Sequence, residues 1–260
     1  MVSVVILTYN KADYTLACLR SVMGTRARGL EVIVVDNGST DESREALKAF
    51  PEIQVIRNES NRGCAQAWNQ GLRASQGSWI GFLNNDIVLT FGWLEGLLYT
   101  AGQHSLDIVG PIHLEGELDY DLDTLGSRFV RRHRRRAFKG FNACCFLVRR
   151  EVFEGIGDFD ERYDKGKYED SDFVLRAREA GFTVGLSGAA LIHHYGGRTV
   201  RAVQGMEAIE SENRKRFLDK WGREPDFKRR EFRQGLFEKM ILKGLDWKRK
   251  ALTLKGEGEA

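Results

Sequence analysis

Short β-branched runs and helical stripes alternate along the first third of this chain. Positions 2–7 form an apolar run that stops at Thr8-Tyr9-Asn10, and Tyr14, Leu16, Leu19 and Val22 follow at near-helical spacing. Positions 31–35 repeat the apolar run and stop at Asp36-Asn37-Gly38-Ser39-Thr40-Asp41, a turn rich in helix-capping residues. A third run, 53–57, leads through Asn61-Arg62-Gly63 into a helix around 65–72. A fourth, 79–83, ends at Asn84-Asn85-Asp86. This alternation predicts a parallel sheet covered by helices on both faces. Ligands of such sheets lodge beyond the carboxyl ends of the strands. The polar endings of strands one, two and four are therefore expected at one place, although Asn, Asp, Gly and Ser are also ordinary turn residues.

The second half has another texture. Positions 110–139 are polar and mix both charges, which predicts a mobile substrate loop. Positions 143–148 read as a strand, 150–156 as a helix, and Gly157-Asp158-Phe159-Asp160 as a turn. A helix begins near Glu169-Asp170-Ser171-Asp172 and runs to Ala180, with Gly181 as its stop. Two short strands follow at 184–186 and 190–194, and the pattern after Arg201 is helical. From Phe227 onward, Phe232, Leu236, Met240 and Ile241 recur among Lys and Arg. That stripe predicts a basic amphipathic helix, docked on protein or lying on an anionic membrane surface. Positions 256–260 read as a disordered end.

Composition narrows the class. At 260 residues, 42% hydrophobic and 30% charged, the chain suits one substantial domain plus an appendage. The net charge of +3 hides basic clusters at 131–136 and after Arg214. Those clusters suit anionic partners, a phosphorylated acceptor among them, but no nucleic-acid motif accompanies them, so no nucleic acid is expected. Cys18 and Cys64 are isolated and Cys144-Cys145 are adjacent, a spacing that suits neither a zinc ribbon nor a redox pair. Reduced thiols, a short first apolar run without a basic lead, and no stretch of about 20 apolar residues predict a cytoplasmic protein. Docking on protein is the preferred reading of the C-terminal basic helix, and peripheral contact with the inner face of the membrane through it is the alternative.

Three constellations carry candidate chemistry. Asp86 is the carboxylate that ends the fourth strand, and a diphosphate-bound divalent cation needs as few as one or two such groups. An Asx-turn is an equal reading of the same tripeptide. His193-His194 ends a later strand and offers an imidazole ligand, which favours Mn²⁺ over Mg²⁺; a structural, hydrogen-bonded histidine pair is the alternative. Adjacent strand residues face opposite ways, so one of the two points at the cation, and His193 is preferred. Glu169, Asp170 and Asp172 lie on the first turn of a helix, where the dipole alone favours acids. One of them is also placed to act as a general base toward a sugar hydroxyl.

Taken in order, 2–10, Val34-Val35-Asp36-Asn37-Gly38-Ser39-Thr40-Asp41, Asn61-Arg62-Gly63 with Asn69-Gln70-Gly71, Phe82-Leu83-Asn84-Asn85-Asp86, Gly157-Asp158-Phe159-Asp160-Glu161 and Glu169-Asp170-Ser171-Asp172 form a recognisable set. The sequence resembles a family 2 glycosyltransferase of the GT-A fold, in the branch similar to bacterial rhamnosyltransferases, as far as about Thr199. The resemblance implies an α/β, Rossmann-like GT-A domain over 1–200 with a mixed central sheet, and a basic helical extension over 201–260. It also implies an inverting transfer from a UDP-, dTDP- or GDP-linked sugar to a glycan or lipid-linked acceptor in cell-surface polysaccharide or glycoconjugate synthesis, with Mn²⁺ or Mg²⁺ as cofactor. By the same resemblance Asp36 binds the base with Thr8 and Asn10 nearby, and Arg62 supports base or diphosphate. Asn84 and Asn85 belong to the donor site, Asp86 binds the cation, and His193 or His194 is the later metal ligand. Asp170 is the catalytic base and Glu169 orients the acceptor. Asn84 departs from the family's full Asp-x-Asp pattern, which lowers the charge available to a cation. The competing class is a non-catalytic nucleotide- or glycan-binding module with the same fold. Without a Gly-rich first loop the chain does not read as a nucleotidyltransferase. Nor does it carry the Gln-x-x-Arg-Trp motif of a processive synthase.

Overall fold

A computed structural model describes residues 1–25, 29–198 and 205–225. Four β-branched runs become the parallel strands β1 (Val2–Thr8), β2 (Leu30–Asp36), β3 (Gln54–Arg57) and β4 (Trp79–Asn84). The other strands are β5 (Ile87–Leu89), β6 (Ile108–Glu115), β7 (Ala137–Phe138), β8 (Cys145–Arg149) and β9 (Val184–His194). Among the described residues they form one nine-stranded sheet in the order β3-β2-β1-β4-β8-β6-β9-β5, with β7 paired to β9. The sheet is mixed. β8 runs antiparallel to β4 and β6, β9 runs parallel to β6, and β5 and β7 run antiparallel to β9.

The helices are α1 (Ala12–Gly24), α2 (Ser43–Ala46), α3 (Cys64–Ala74), α4 (Trp93–His104), α5 (Leu122–His133), α6 (Arg150–Ile156), α7 (Glu169–Glu179) and α8 (Met206–Trp221). Strand alternation gives the sheet two different faces. On one, Val4, Ile6, Val34, Leu83 and Leu147 meet Leu19 and Val22 of α1 and Trp93 and Leu97 of α4. On the other, Phe82 and Phe146 join Trp68 of α3, Phe153 of α6, Phe173 of α7 and Phe159 in a continuous ring cluster with centroids 4.5–6.5 Å apart. Each such ring buries about 150–250 Å², so this cluster anchors α3, α6 and α7 to the same sheet face. Two glycines permit the closest approaches. A Cβ at Gly71 would lie 2.2 Å from Val5, and one at Gly96 would lie 2.1 Å from the Ala189 carbonyl oxygen.

The expected loop over 110–139 is instead structured. It contains most of β6, the helix α5 and the short strand β7. The sequence signal was thin because only Leu122, Leu125 and Phe129 mark the buried stripe of α5, among charged neighbours. Asp121 caps that helix by accepting the Thr124 N–H at 3.0 Å. The two short strands expected at 184–186 and 190–194 are one strand, β9, whose pairing with β6 slips between Pro111 and Ile112. Gly188 sits in that irregularity, where a Cβ would lie 2.3 Å from the His133 carbonyl oxygen. β5 and α4 arise where the pattern marks no element.

α8 packs Phe217 on Tyr163, Tyr168 and Leu175. Its buried Asn213 donates to the carbonyls of Asp164 and Gly166 and accepts the Asp164 N–H, so it pins the loop that leads into α7. The amphipathic stripe from Phe227 to Ile241 and the end at 256–260 lie outside the described residues.

Candidate functional site

The loops after β1 and β2 are joined by hydrogen bonds. Asn10 Oδ1 accepts the Thr40 N–H at 2.8 Å, the Asn10 N–H donates to Ser39 Oγ at 2.8 Å, and Asp41 accepts the Ala12 N–H. Asn10 and Lys11 turn through positive φ, 56° and 62°, to make this crossing. The loop after β4 is tied to the same place. Asn85 Nδ2 donates to Thr15 Oγ1 at 2.9 Å and approaches Thr8 Oγ1 at 3.3 Å, while the two threonine hydroxyls share a bond of 2.7 Å. Thr8 and Asn85 are buried, and these bonds run within the protein, so they hold the loops in place.

Asp36 ends β2 as a buried carboxylate that accepts the Ser39 N–H at 2.9 Å and faces Arg57 at 3.7 Å. Beside it, Asn37 uses its whole amide. It donates to Asn61 Oδ1 and the Gly63 carbonyl, and accepts from Asn58 Nδ2 and the Arg62 N–H. Asn37 is thus the post that carries the Asn61–Gly63 loop, a role that the turn-like sequence did not reveal. The Arg62 side chain is exposed at that loop and Asn84 is half-buried.

Asp86 is buried, and its carboxylate meets β9. Its Oδ1 lies 3.3 Å from His194 Nε2, and its Oδ2 accepts the Arg198 N–H at 2.8 Å. Burial alone raises the Asp86 carboxyl, yet His194 and the backbone N–H groups more than offset this and hold it below the usual carboxylate range. Burial likewise opposes a proton on His194, and the Cys144 sulfur and Asp86 carboxylate outweigh it, pushing the imidazole up. His194, rather than the preferred His193, faces Asp86. His193 projects to the opposite face, where its Nδ1 meets the Tyr120 hydroxyl at 2.7 Å, and burial lowers it to about 4. The choice follows from register, since β5 pairs Ile87 with His194 directly after Asp86. His194 Nε2 is buried with no directed hydrogen-bond partner. Such a nitrogen beside an ionised carboxylate is a donor set that fits a divalent cation.

The three acids of α7 separate by environment. Asp172 is fully buried in a structural network with Arg176 at 2.9 Å, Lys220 at 2.6 Å and Trp221 Nε1 at 2.9 Å. Glu169 is buried, and desolvation together with the Asp170 charge pushes its carboxyl up to about 8. Asp170 is half-buried and accepts the Ser171 N–H at 2.6 Å. The loop leading into α7 reaches the start of α3 through Cys64, whose Sγ donates to the Lys165 carbonyl, and the β3–α3 loop through Lys165 Nζ, 2.6 Å from the Asn61 carbonyl.

The basic run at 131–136 lies at the far end of α5 from Tyr120. His133 and Arg136 carbonyls border Gly188, midway along β9, and a 12-residue helix spans about 18 Å. Sequence reasoning missed His113 and Glu115 entirely. Both sit on β6, with Glu115 opposite His194, and the ligand atoms of the three residues lie within 4.8 Å of one another. Burial and the neighbouring imidazoles lower His113 to about 3. Alternation of a strand inside 110–139 was the one signal that could have placed them on a common face.

Comparison with known proteins agrees with this fold. The pre-mycofactocin glycosyltransferase of Mycobacterium tuberculosis (strain ATCC 25618 / H37Rv) is 32% identical over 183 residues, 65% of this chain and 38% of that protein. The uncharacterized glycosyltransferase EpsJ of Bacillus subtilis (strain 168) is 30% identical over 200 residues, 69% of this chain and 57% of that protein. The chain therefore spans well under two thirds of these relatives. A crystal structure of GalNAc-T7 with UDP, GalNAc and Mn²⁺ superposes with a TM-score of 0.66 at 17% identity, over 85% of this chain and 48% of that one. That likeness shows the GT-A fold, an α/β domain with a mixed sheet. The profile of "Glycosyl transferase family 2" matches residues 3–157, more than half of the chain. The chain belongs to glycosyl transferase family 2.

Proposed function

We propose that this protein transfers a glycosyl group from a nucleoside-diphosphate sugar to an acceptor hydroxyl, with inversion at the anomeric carbon. The observation that carries the reading is the Asp86–His194 pair at 3.3 Å, set at the same sheet edge as the interlocked loops after β1, β2 and β4. Asp36 and the Asn10–Asp41 crossing receive the base and ribose, and the exposed Arg62 reaches the diphosphate. Asp86 and His194 would hold Mn²⁺ or Mg²⁺, which neutralises charge on the departing diphosphate when bound. The GalNAc-T7 complex with UDP and Mn²⁺ supports testing that nucleotide and cation first.

Asp170 takes the proton of the acceptor hydroxyl as that oxygen bonds to the anomeric carbon and the diphosphate oxygen leaves. Burial and the neighbouring Asp170 charge raise the Glu169 carboxyl, so Glu169 keeps its own proton near neutrality. Glu169 then serves to orient the acceptor rather than to compete for its proton. Binding both substrates at one sheet edge removes much of the entropic barrier. Hexosyl or deoxyhexosyl transfer of the rhamnosyl type, onto a glycan or lipid-linked acceptor in cell-surface synthesis, is the finer reading. No described helix is long and apolar enough to cross a membrane. A cytoplasmic placement with contact at the inner membrane face is part of the proposal.

The test is release of nucleoside diphosphate from a panel of sugar nucleotides with Mn²⁺, with and without Asp170→Asn. Donor binding retained with transfer lost supports the reading. Donor binding with no turnover by the unaltered protein would replace it with a binding module.

A further inference from the structure

The β6–β9 pairing carries chemistry that the two-residue cation site does not use. These strands run parallel with Glu115 opposite His194 and His113 opposite Ile192. Residues paired in register, and those two apart on one strand, share a face. His113, Glu115 and His194 therefore project to the same side of the sheet, and Leu114 and His193 to the other. Among the described residues these three form the one group of His, Cys, Asp or Glu ligand atoms within 4.8 Å of each other. The rings of His113 and His194 stand edge to face with centroids 5.8 Å apart. The Glu115 carboxylate is held over Gly196, where a Cβ would lie 2.7 Å from its Oε1. That glycine therefore leaves room for the carboxylate beside the chain that follows His194.

We propose that His113, Glu115 and His194 form a nitrogen-rich cation site that binds a divalent transition metal without help from nucleotide. The inference rests on the proposed donor site for its role, though not for its test. Metal–ligand bonds of about 2.0–2.2 Å put ligand atoms on one ion at most about 4.4 Å apart. A cluster spread over 4.8 Å reaches that span by small side-chain rotations.

Two imidazoles and a carboxylate are a ligand type that suits Zn²⁺, Mn²⁺, Co²⁺ or Fe²⁺, and imidazole is a poor match for Mg²⁺. The number of protein ligands also matters. With Asp86 and His194 alone, most positions on the ion fall to water and diphosphate, so affinity depends on the nucleotide. With His113, Glu115 and His194 as ligands, the protein supplies three donors and retains the ion by itself.

The experiment measures binding of Mn²⁺ and Zn²⁺ to the nucleotide-free protein, by calorimetry and by the loss of free Mn²⁺ paramagnetic signal. Saturable binding that excess Mg²⁺ does not displace is expected, weakened about tenfold or more by His113→Ala and by Glu115→Gln. Circular dichroism and melting in chelator confirm that each variant is folded, and Glu115→Asp should restore part of the affinity. Binding only in the presence of a nucleoside diphosphate, or affinity unchanged in both variants, overturns the proposal. The two readings fail separately. Donor turnover with unchanged metal affinity in His113→Ala removes this inference alone, whereas tight cation binding without turnover of any sugar nucleotide removes the transferase reading alone.

Discussion

Two chemistries meet at the carboxyl edge of the sheet. The side built by β1, β2 and β4 is made largely of neutral groups whose polar atoms serve one another, such as Thr8 with Thr15 and Asn85, and Asn37 with Asn58 and Asn61. The titratable groups lie on several elements, with Asp86 after β4, His113 and His194 on β6 and β9, and Glu169 and Asp170 at the start of α7. Neutral networks fix geometry over a wide pH range, while clustered ionisable groups supply charge and proton transfer. The difference predicts that the neutral side governs stability and the titratable groups govern reaction.

Asp170→Asn gives the largest effect and keeps an oxygen for the Ser171 N–H. Transfer should fall about 10²- to 10⁴-fold with the melting temperature nearly unchanged, measured by product formation and calorimetry. Asp172→Ala, two residues along the same helix, should do the reverse in kind. It strands Arg176, Lys220 and Trp221, and urea denaturation should show a loss of about 3–5 kcal/mol. If Asp172→Ala instead left stability intact, the division of roles along α7 would be wrong.

On the neutral side, Asn37→Ala removes the amide that carries the Asn61–Gly63 loop and should cost about 1–3 kcal/mol of unfolding free energy at every pH tested. Glu169→Gln sharpens the contrast through its pH dependence. The folded carboxyl titrates at about 8 rather than near 4.5, because of burial and the Asp170 charge, with Lys167 and Cys64 also facing it. The folded state therefore holds more protons than the unfolded state between those values, and the stability this gives is lost as pH rises. The melting temperature of the variant relative to the parent should climb from pH 5 to pH 8. A flat difference across that range would mean that Glu169 ionises normally.

Much of the fold was legible locally. The runs at 2–7, 31–35 and 79–83 became β1, β2 and β4, and the helix read at 150–156 is α6 with those bounds. The region 110–139 was not, because α5 shows its apolar stripe at few positions and β6 is recognisable only once β9 covers it. The acids of α7 were visible as a cluster, but their division into Asp172 as a structural hub and Glu169 as a protonated neighbour needed Arg176, Lys220, Trp221 and Cys64.

The sequence by itself determined the strand–turn order, the polar endings of β1, β2 and β4, and the presence of Asp86, His193, His194 and Asp170 at element ends. These depend on side-chain period and turn chemistry, which act over a few residues. Tertiary structure alone decided that His194 rather than His193 meets Asp86, and that His113 and Glu115 stand beside it. Those are matters of register between strands, where a slip of one residue turns every side chain to the other face. Such register is set by packing partners many positions away.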